Sequence, residues 1–158
     1  MRKYMAASFF LCLGGFLTAC ARPAIDAANP NNDGITAQPS PKSEVADTVQ
    51  LICQMTLDLP ALEQYFHPTE PSRKPLRVLK NDTIKGDMKL TKFNLPVVFI
   101  TAQEAKKKKT PYFEFTSIEV KDATATVNFR YRIEGIRGKV NFKRDGAWQI
   151  VSHELVEE

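Results

Sequence analysis

Proton transfer at neutral pH needs a side chain whose pKa lies near the working pH, and histidine is the usual choice. The chain holds two, His67 and His153. His67 precedes Pro68 where a helix is expected to stop, and His153 falls in a strand pattern as a surface residue. Neither has the spacing of a nucleophile, metal or acid–base site, and the sequence carries no Gly-rich phosphate loop, zinc spacing or Ser-His-Asp signature. The expectation is a protein that is not an enzyme, with no catalytic residue, no metal and no cofactor. The three cysteines divide differently. Cys12 lies in an apolar N-terminal run, Cys20 follows that run, and Cys53 is left without an intramolecular partner. Cys53 is expected to pack as a small buried hydrophobe, with a reactive or dimer-forming thiol as the alternative.

Cys20 carries the strongest chemical signal. Arg2 and Lys3 open the chain, an apolar run reaches Leu17, and Thr18 and Ala19 lead to the cysteine. That order is a secretory leader, and the run falls short of the ~20 residues a helix needs to cross a bilayer. Leu17-Thr18-Ala19-Cys20 resembles the lipobox of bacterial lipoproteins, which implies cleavage before Cys20 and acylation, including palmitate, on it. An ordinary leader cut at an Ala-x-Ala-like site, or an uncleaved anchor, are the alternatives. Acyl chains hold a protein by about 0.8 kcal/mol per buried methylene, and stable attachment takes more than one. Ala21 in place of Asp after the cysteine implies, by the same resemblance, sorting to the outer membrane facing the periplasm.

The expected organisation is a signal peptide at 1–19, a lipidated cysteine with a Pro/Asn-rich tether at 20–43, and one α+β domain at 44–158. Removing Arg2 and Lys3 lowers the formal charge from +4 to +2, too little for nucleic-acid binding. The tether has four prolines and almost no large apolar side chain, so it cannot repay the entropy of ordering. As a coil its reach is on the order of 25–30 Å.

Ser43 is expected to cap a helix with Val45, Val49, Ile52, Cys53 and Thr56 or Leu57 on its buried face. Pro60 sits in the first turn of a second, short helix with Leu62, Tyr65 and Phe66 inward. Residues 76–79 and 97–101 read as short strands, and the rest of 69–94 shows no clear period. The C-terminal third alternates cleanly. Ala125, Val127, Phe129, Tyr131 and Ile133 face one way, and Arg130 and Arg132 the other. A two-residue turn at Glu134-Gly135 predicts the pairs Ile133 with Ile136, Tyr131 with Gly138, Phe129 with Val140, and Val127 with Phe142. A glycine bulge at Gly146 predicts Phe142 opposite Trp148 and Val140 opposite Ile150. Phe113 and Phe115 differ in parity from Ile118 and Val120, so a bulge near Thr116-Ser117 is expected to bring all four to the core side.

Two helices followed by an antiparallel meander that closes in Asp145-Gly146-Ala147-Trp148-Gln149-Ile150 resembles the cystatin-like cone of the nuclear transport factor 2-like superfamily, over roughly residues 44–158. The resemblance implies N-terminal helices packed on a curved antiparallel sheet. Enzymes of that superfamily place an acid or a histidine inside the cone. The inward wall here is apolar: Phe129, Tyr131, Val140, Phe142 and Trp148 are the candidate pocket-lining residues, and only Tyr131 and Trp148 have polar tips. Asp82 and Asp87 are the carboxylates that the unread region offers to a cone interior.

The outward face is basic, with Arg130, Arg132, Arg137, Lys139 and Lys143 on two paired strands as candidate partner-binding residues. The expected register sets Arg132 opposite Arg137 and Arg130 opposite Lys139, and directly opposed like charges are destabilising. Either Glu114, Glu119 and Glu154 interleave with them, or an anionic partner does: lipid headgroups, lipopolysaccharide or an acidic protein face. Lys106, Lys107, Lys108 and Lys109 read as a solvated loop beside that surface. The function expected is a non-catalytic, membrane-anchored binding or accessory module of the cell envelope, an immunity protein being a special case. The alternative is a cone for a small apolar ligand, with isomerase- or hydrolase-type activity.

Overall fold

The computed structural model describes residues 41–158; the leader, Cys20 and the tether through residue 40 lie outside the described residues. Helix α1, Pro41–Leu57, begins inside the stretch expected to be tether, so Ser43 lies within the helix and does not cap it. Ile52, Cys53, Thr56 and Leu57 are fully buried, and Val49 packs at their margin. Val45, expected inward, is 58% exposed, so the apolar stripe meets the core only from Val49 onward. Thr56 satisfies its buried hydroxyl by donating to the carbonyl of Ile52 at 2.8 Å. A short 3-10 turn, Pro60–Leu62, leads into α2, Glu63–Phe66, which ends where His67 takes a left-handed conformation. Leu62 and Phe66 are buried and Tyr65 packs against the core, as the spacing predicts.

Eight strands follow. β1 (Arg77–Leu79), β4 (Val98–Ile100), β5 (Phe113–Lys121), β6 (Thr124–Tyr131), β7 (Ile136–Asp145) and β8 (Ala147–Glu157) form one sheet in the order β4-β1-β5-β6-β7-β8. The last four are the antiparallel meander. The sheet is nevertheless mixed, because β1 runs parallel to both β4 and β5. β2 (Thr91–Lys92) and β3 (Leu95–Pro96) form a separate small ladder, turned by Phe93 and Asn94 at positive φ. The segment around that ladder is held by side chains, which is why it shows no period. Gln50 accepts from the Lys89 amide at 2.7 Å, and Gln54 both accepts from and donates to the Thr91 backbone. Asn81 accepts from the amides of Thr83 and Ile84 while donating to the carbonyl of Phe115 at 2.7 Å. Lys106, Lys107 and Lys108, read as part of a solvated loop, instead lie in helix α3, Ala102–Lys108, which ends at Lys109. A reciprocal capping box between Thr101 and Glu104 starts it, and its last turn carries Lys106, Lys107 and Lys108 next to the negative end of the helix dipole.

Two bulges keep the meander apolar on one side. The first, between Phe115 and Ser117, brings Phe113, Phe115, Ile118 and Val120 together, as their parity requires. The second makes Val151 the extra residue between Ile150 and Ser152, opposite Phe142 and Asn141. Trp148, Ile150 and Leu155 therefore all reach the core side despite their mixed parity.

The β6–β7 connection corrects the expected register. Residues Arg132–Glu134 form a 3-10 turn ended by Gly135 at φ 59, so Tyr131 pairs with Ile136, Phe129 with Gly138, Val127 with Val140 and Ala125 with Phe142. Ile133, expected inward, sits on that turn and is 49% exposed. Trp148 pairs with Arg144, and Ile150 with Phe142, in place of the pairs expected for β8. The glycine still lies under an aromatic ring, but the ring belongs to Phe129: a Cβ at Gly138 would fall 2.8 Å from both Phe129 Cε1 and Leu155 Cδ2. Mid-strand glycine ordinarily gives way to alanine with a gain of roughly 0.5–1 kcal/mol. Here Gly138→Ala should instead destabilise by about 1–3 kcal/mol through overpacking, read as a lower urea midpoint. A raised midpoint would show that the Phe129 ring does not occupy this space.

Candidate functional site

The outer face of the sheet is made by the residues that alternate with the core. On β6 these are Thr126, Asn128 and Arg130, and on β7 Arg137, Lys139, Asn141 and Lys143. Its centre is a neutral ladder: Asn128 donates to Ser117 at 2.8 Å, Thr126 to Asn141 at 3.1 Å, and Asn141 to Ser152 at 2.9 Å. Toward the β6–β7 connection the face turns basic, and a groove of about 480 Å³ opens between Thr116 and Val156, bordered by Arg130, Arg137 and Lys139 with Gly138 among its lining.

The register corrects which charges oppose each other. Arg130, not Arg132, faces Arg137, and Lys139 faces Asn128 on one side and Glu154 on the other. Arg132 has left the strand and its Nε lies 3.5 Å from Glu114. Glu158 supplies the counter-charge that the opposed arginines need, its Oε1 standing 3.7 Å from Arg130 Nη2 and 3.8 Å from Arg137 Nε. Of the acids expected to interleave, Glu114 forms an ion pair, Glu154 stands opposite Lys139, and Glu119 forms none among the described residues. Lys139 and Lys143 likewise have no ion pair within 4.0 Å among the described residues. Half-exposed pairs of this kind contribute about 0–1 kcal/mol each, so neutralisation of the groove is weak.

The candidate pocket-lining residues occupy the other side. Phe129, Tyr131, Val140, Phe142 and Trp148 are all buried in the principal core cluster. Phe113 stacks on Phe129 at 5.0 Å and lies 6.0 Å from both Tyr131 and Phe66, so rings fill the space between helices and sheet. Asp82 and Asp87 are exposed. What the segment 69–94 sends inward is Leu76, Val78, Leu79, Ile84, Leu90 and one cation. Lys92 Nζ donates to the carbonyl of Leu57 and to Glu63 at 2.9 Å each, and sits 4.8 Å over the Phe66 ring. A lysine at that carbonyl caps the C-terminus of α1.

A polar cluster invisible in the sequence ties the β6–β7 connection to the loop after α2. His67 Nε2 lies 2.9 Å from Glu134, whose other oxygen meets Arg73 Nη2 at 2.6 Å, and Arg73 Nε reaches Glu70 at 3.2 Å. His67 Nδ1 faces Glu70 at 3.8 Å, so both ring nitrogens look toward carboxylates. Burial pushes the Tyr131 hydroxyl above its ordinary range, with Arg73 pulling the other way. This geometry fastens a turn and directs both His67 nitrogens at carboxylates. His153 is exposed on β8 opposite Val140 and shares no partner with His67. Among the described residues no group of acids, histidines and cysteines has the arrangement of a metal site.

The domain is of the α+β class with a mostly antiparallel open sheet. No family model matches the chain, and comparison with curated proteins and with solved structures returns no significant match.

Cys53 is fully buried, and burial pushes its thiol up to about 12. Its thiolate is therefore scarce at pH 8, and alkylation of the Cys53 peptide, followed by mass spectrometry, should keep pace with unfolding and become fast only in denaturant. Because the unfolded chain releases this proton first, stability holds below the ordinary thiol pKa and falls as pH climbs from there toward about 12. Rapid labelling of the native protein at pH 8 would contradict the burial.

Proposed function

We propose that this chain is a non-catalytic binding module of the bacterial cell envelope, held to a membrane by lipid on Cys20, that takes an anionic partner on the outer face of its sheet. One observation carries the reading: Arg130 and Arg137 stand directly opposite each other beside Lys139 at the edge of a groove. Opposed like charges cost stability. Nothing in the packing of the core asks for them, so their value lies in what they attract. The anchor adds to this by concentrating a basic face where anionic components are plentiful, within a Debye length of about 8–10 Å of the surface.

The lipobox resemblance of Leu17-Thr18-Ala19-Cys20 supports the anchor, and Ala21 supports an outer-membrane address facing the periplasm. The nuclear transport factor 2-like cone is supported by helices that precede the meander and by two bulges that bend it. The superfamily's enzymes work from the inside of such a cone, and the ring-filled interior here favours the outer face as the working surface.

The test is a crosslinking pull-down from intact envelopes. Wild-type chain should enrich a partner that the Arg130→Ser/Arg137→Ser/Lys139→Ser form no longer captures, while Cys20→Ser should move to the soluble fraction and capture less. Equal capture by the triple variant, with an unchanged circular dichroism spectrum, would contradict the reading.

A further inference from the structure

Resting on that reading, we infer that Glu158 is a built-in occupant of the basic groove, and that the partner it stands in for is an extended acidic protein segment whose carboxylates displace it. The Glu158 carboxylate shows where an external one would sit. A single oxygen lies 3.7 Å from Arg130 Nη2 and 3.8 Å from Arg137 Nε. Charge-assisted hydrogen bonds between such groups close to about 2.7–2.9 Å, and arginine engages carboxylates best in bidentate fashion. Glu158 achieves neither. Both guanidiniums keep donors for a better-placed acid.

Glu158 is also free to leave. It follows the last residue of β8, its carboxylate is 40% exposed, and its backbone is tied by the amide hydrogen bond to the carbonyl of Gly135 at 2.6 Å. Glu157 before it is fixed independently, paired with Ile136 in the ladder and accepting from the Tyr65 hydroxyl at 3.2 Å. The Glu158 side chain can thus swing out without opening the sheet.

Two features select a polypeptide over a lipid headgroup. The groove's far side is β8, which pairs with β7 alone among the described residues and so presents an open strand edge. Backbone N–H and C=O groups along such an edge pair with another extended chain and have no counterpart in a headgroup. Past the bulge at Val151, residues 152–157 of β8 run in regular register beside Lys139 and Arg137, so an added strand lies one strand beyond those cations, a gap that glutamate and arginine side chains span as Glu158 spans β7 to reach Arg130. Lys139, with no ion pair within 4.0 Å among the described residues, offers a second carboxylate position next to the one that Glu158 fills.

The experiment uses the full chain in uncharged detergent micelles and a short, fluorescently labelled peptide alternating glutamate and threonine, with binding read by anisotropy. Glu158→Gln should tighten peptide binding about three- to tenfold, the size of the one or two half-exposed ion pairs released. Arg130→Ser and Arg137→Ser should each weaken it severalfold, and the double variant should abolish it. If the arginine variants lose binding while Glu158→Gln changes nothing, Glu158 is no occupant and the inference fails, with the groove left intact. Arginine variants that bind like wild type would remove the groove as the site and the proposed function with it. Displacement of the peptide by phosphatidylglycerol doped into the micelles at matching charge would make the occupant a headgroup and overturn the acidic segment.

Discussion

Phe113 lies within 5.0–6.0 Å of four other rings, those of Phe66, Phe115, Phe129 and Tyr131, and the placement of the remaining elements follows from keeping them together. Aromatic side chains bury large areas and pack edge-on or offset, so a cluster of this size tolerates little misplacement of the backbone beneath it. Gly138 is one consequence, since the Phe129 ring occupies the space of its missing side chain. The bulge between Phe115 and Ser117 is another, because without it Ile118 and Val120 would turn away from the rings above them. Lys92 is a third. It is an ammonium held almost out of water by the α1 carboxyl end, Glu63 and the Phe66 ring, and it links the β2–β3 ladder to both helices. Removing one partner of so buried a charge costs more than the pair itself contributes.

Filling the interior this way leaves rings where the strands face the helices. The outer face carries a neutral ladder of Ser117, Asn128, Thr126, Asn141 and Ser152 that gives way to opposed arginines. The same two strands thus build the core with one parity and line the outer groove with the other.

Facing was legible in the sequence where partners were not. The expected β6–β7 register, with Ile133 against Ile136, differs from the observed one, with Tyr131 against Ile136, by a two-residue slip, and the β8 register slips likewise at Trp148. A slip of two conserves which side each residue faces, so period-two alternation identified Phe129, Val140, Phe142 and Trp148 as inward, yet it could not tell Arg130 opposite Arg137 from Arg132 opposite Arg137. Those partners depend on where the Phe129 ring goes, a long-range matter. Glu158 escaped notice because its role comes from spatial adjacency to Arg130 rather than from any local pattern. The segment 69–94 was illegible for a related reason: Gln50, Gln54 and Asn81 hold it by side-chain bonds to backbone that leave no periodic trace. Helix α3 differs, for the capping box at Thr101 and Glu104 is a local signal that the adjoining β-branched run and lysines obscured.

The central claim is that the molecule works from the outside of its sheet. Amide NMR of the isotopically labelled chain, titrated with a glutamate-rich peptide, tests this directly. The account predicts that perturbed resonances cluster at Asn128, Arg130, Arg137, Lys139 and Glu154, with the Trp148 indole N–H and the α1 amides of Ile52 and Cys53 unmoved. Perturbations centred on Trp148 and α1 would place the working surface inside the domain and contradict it.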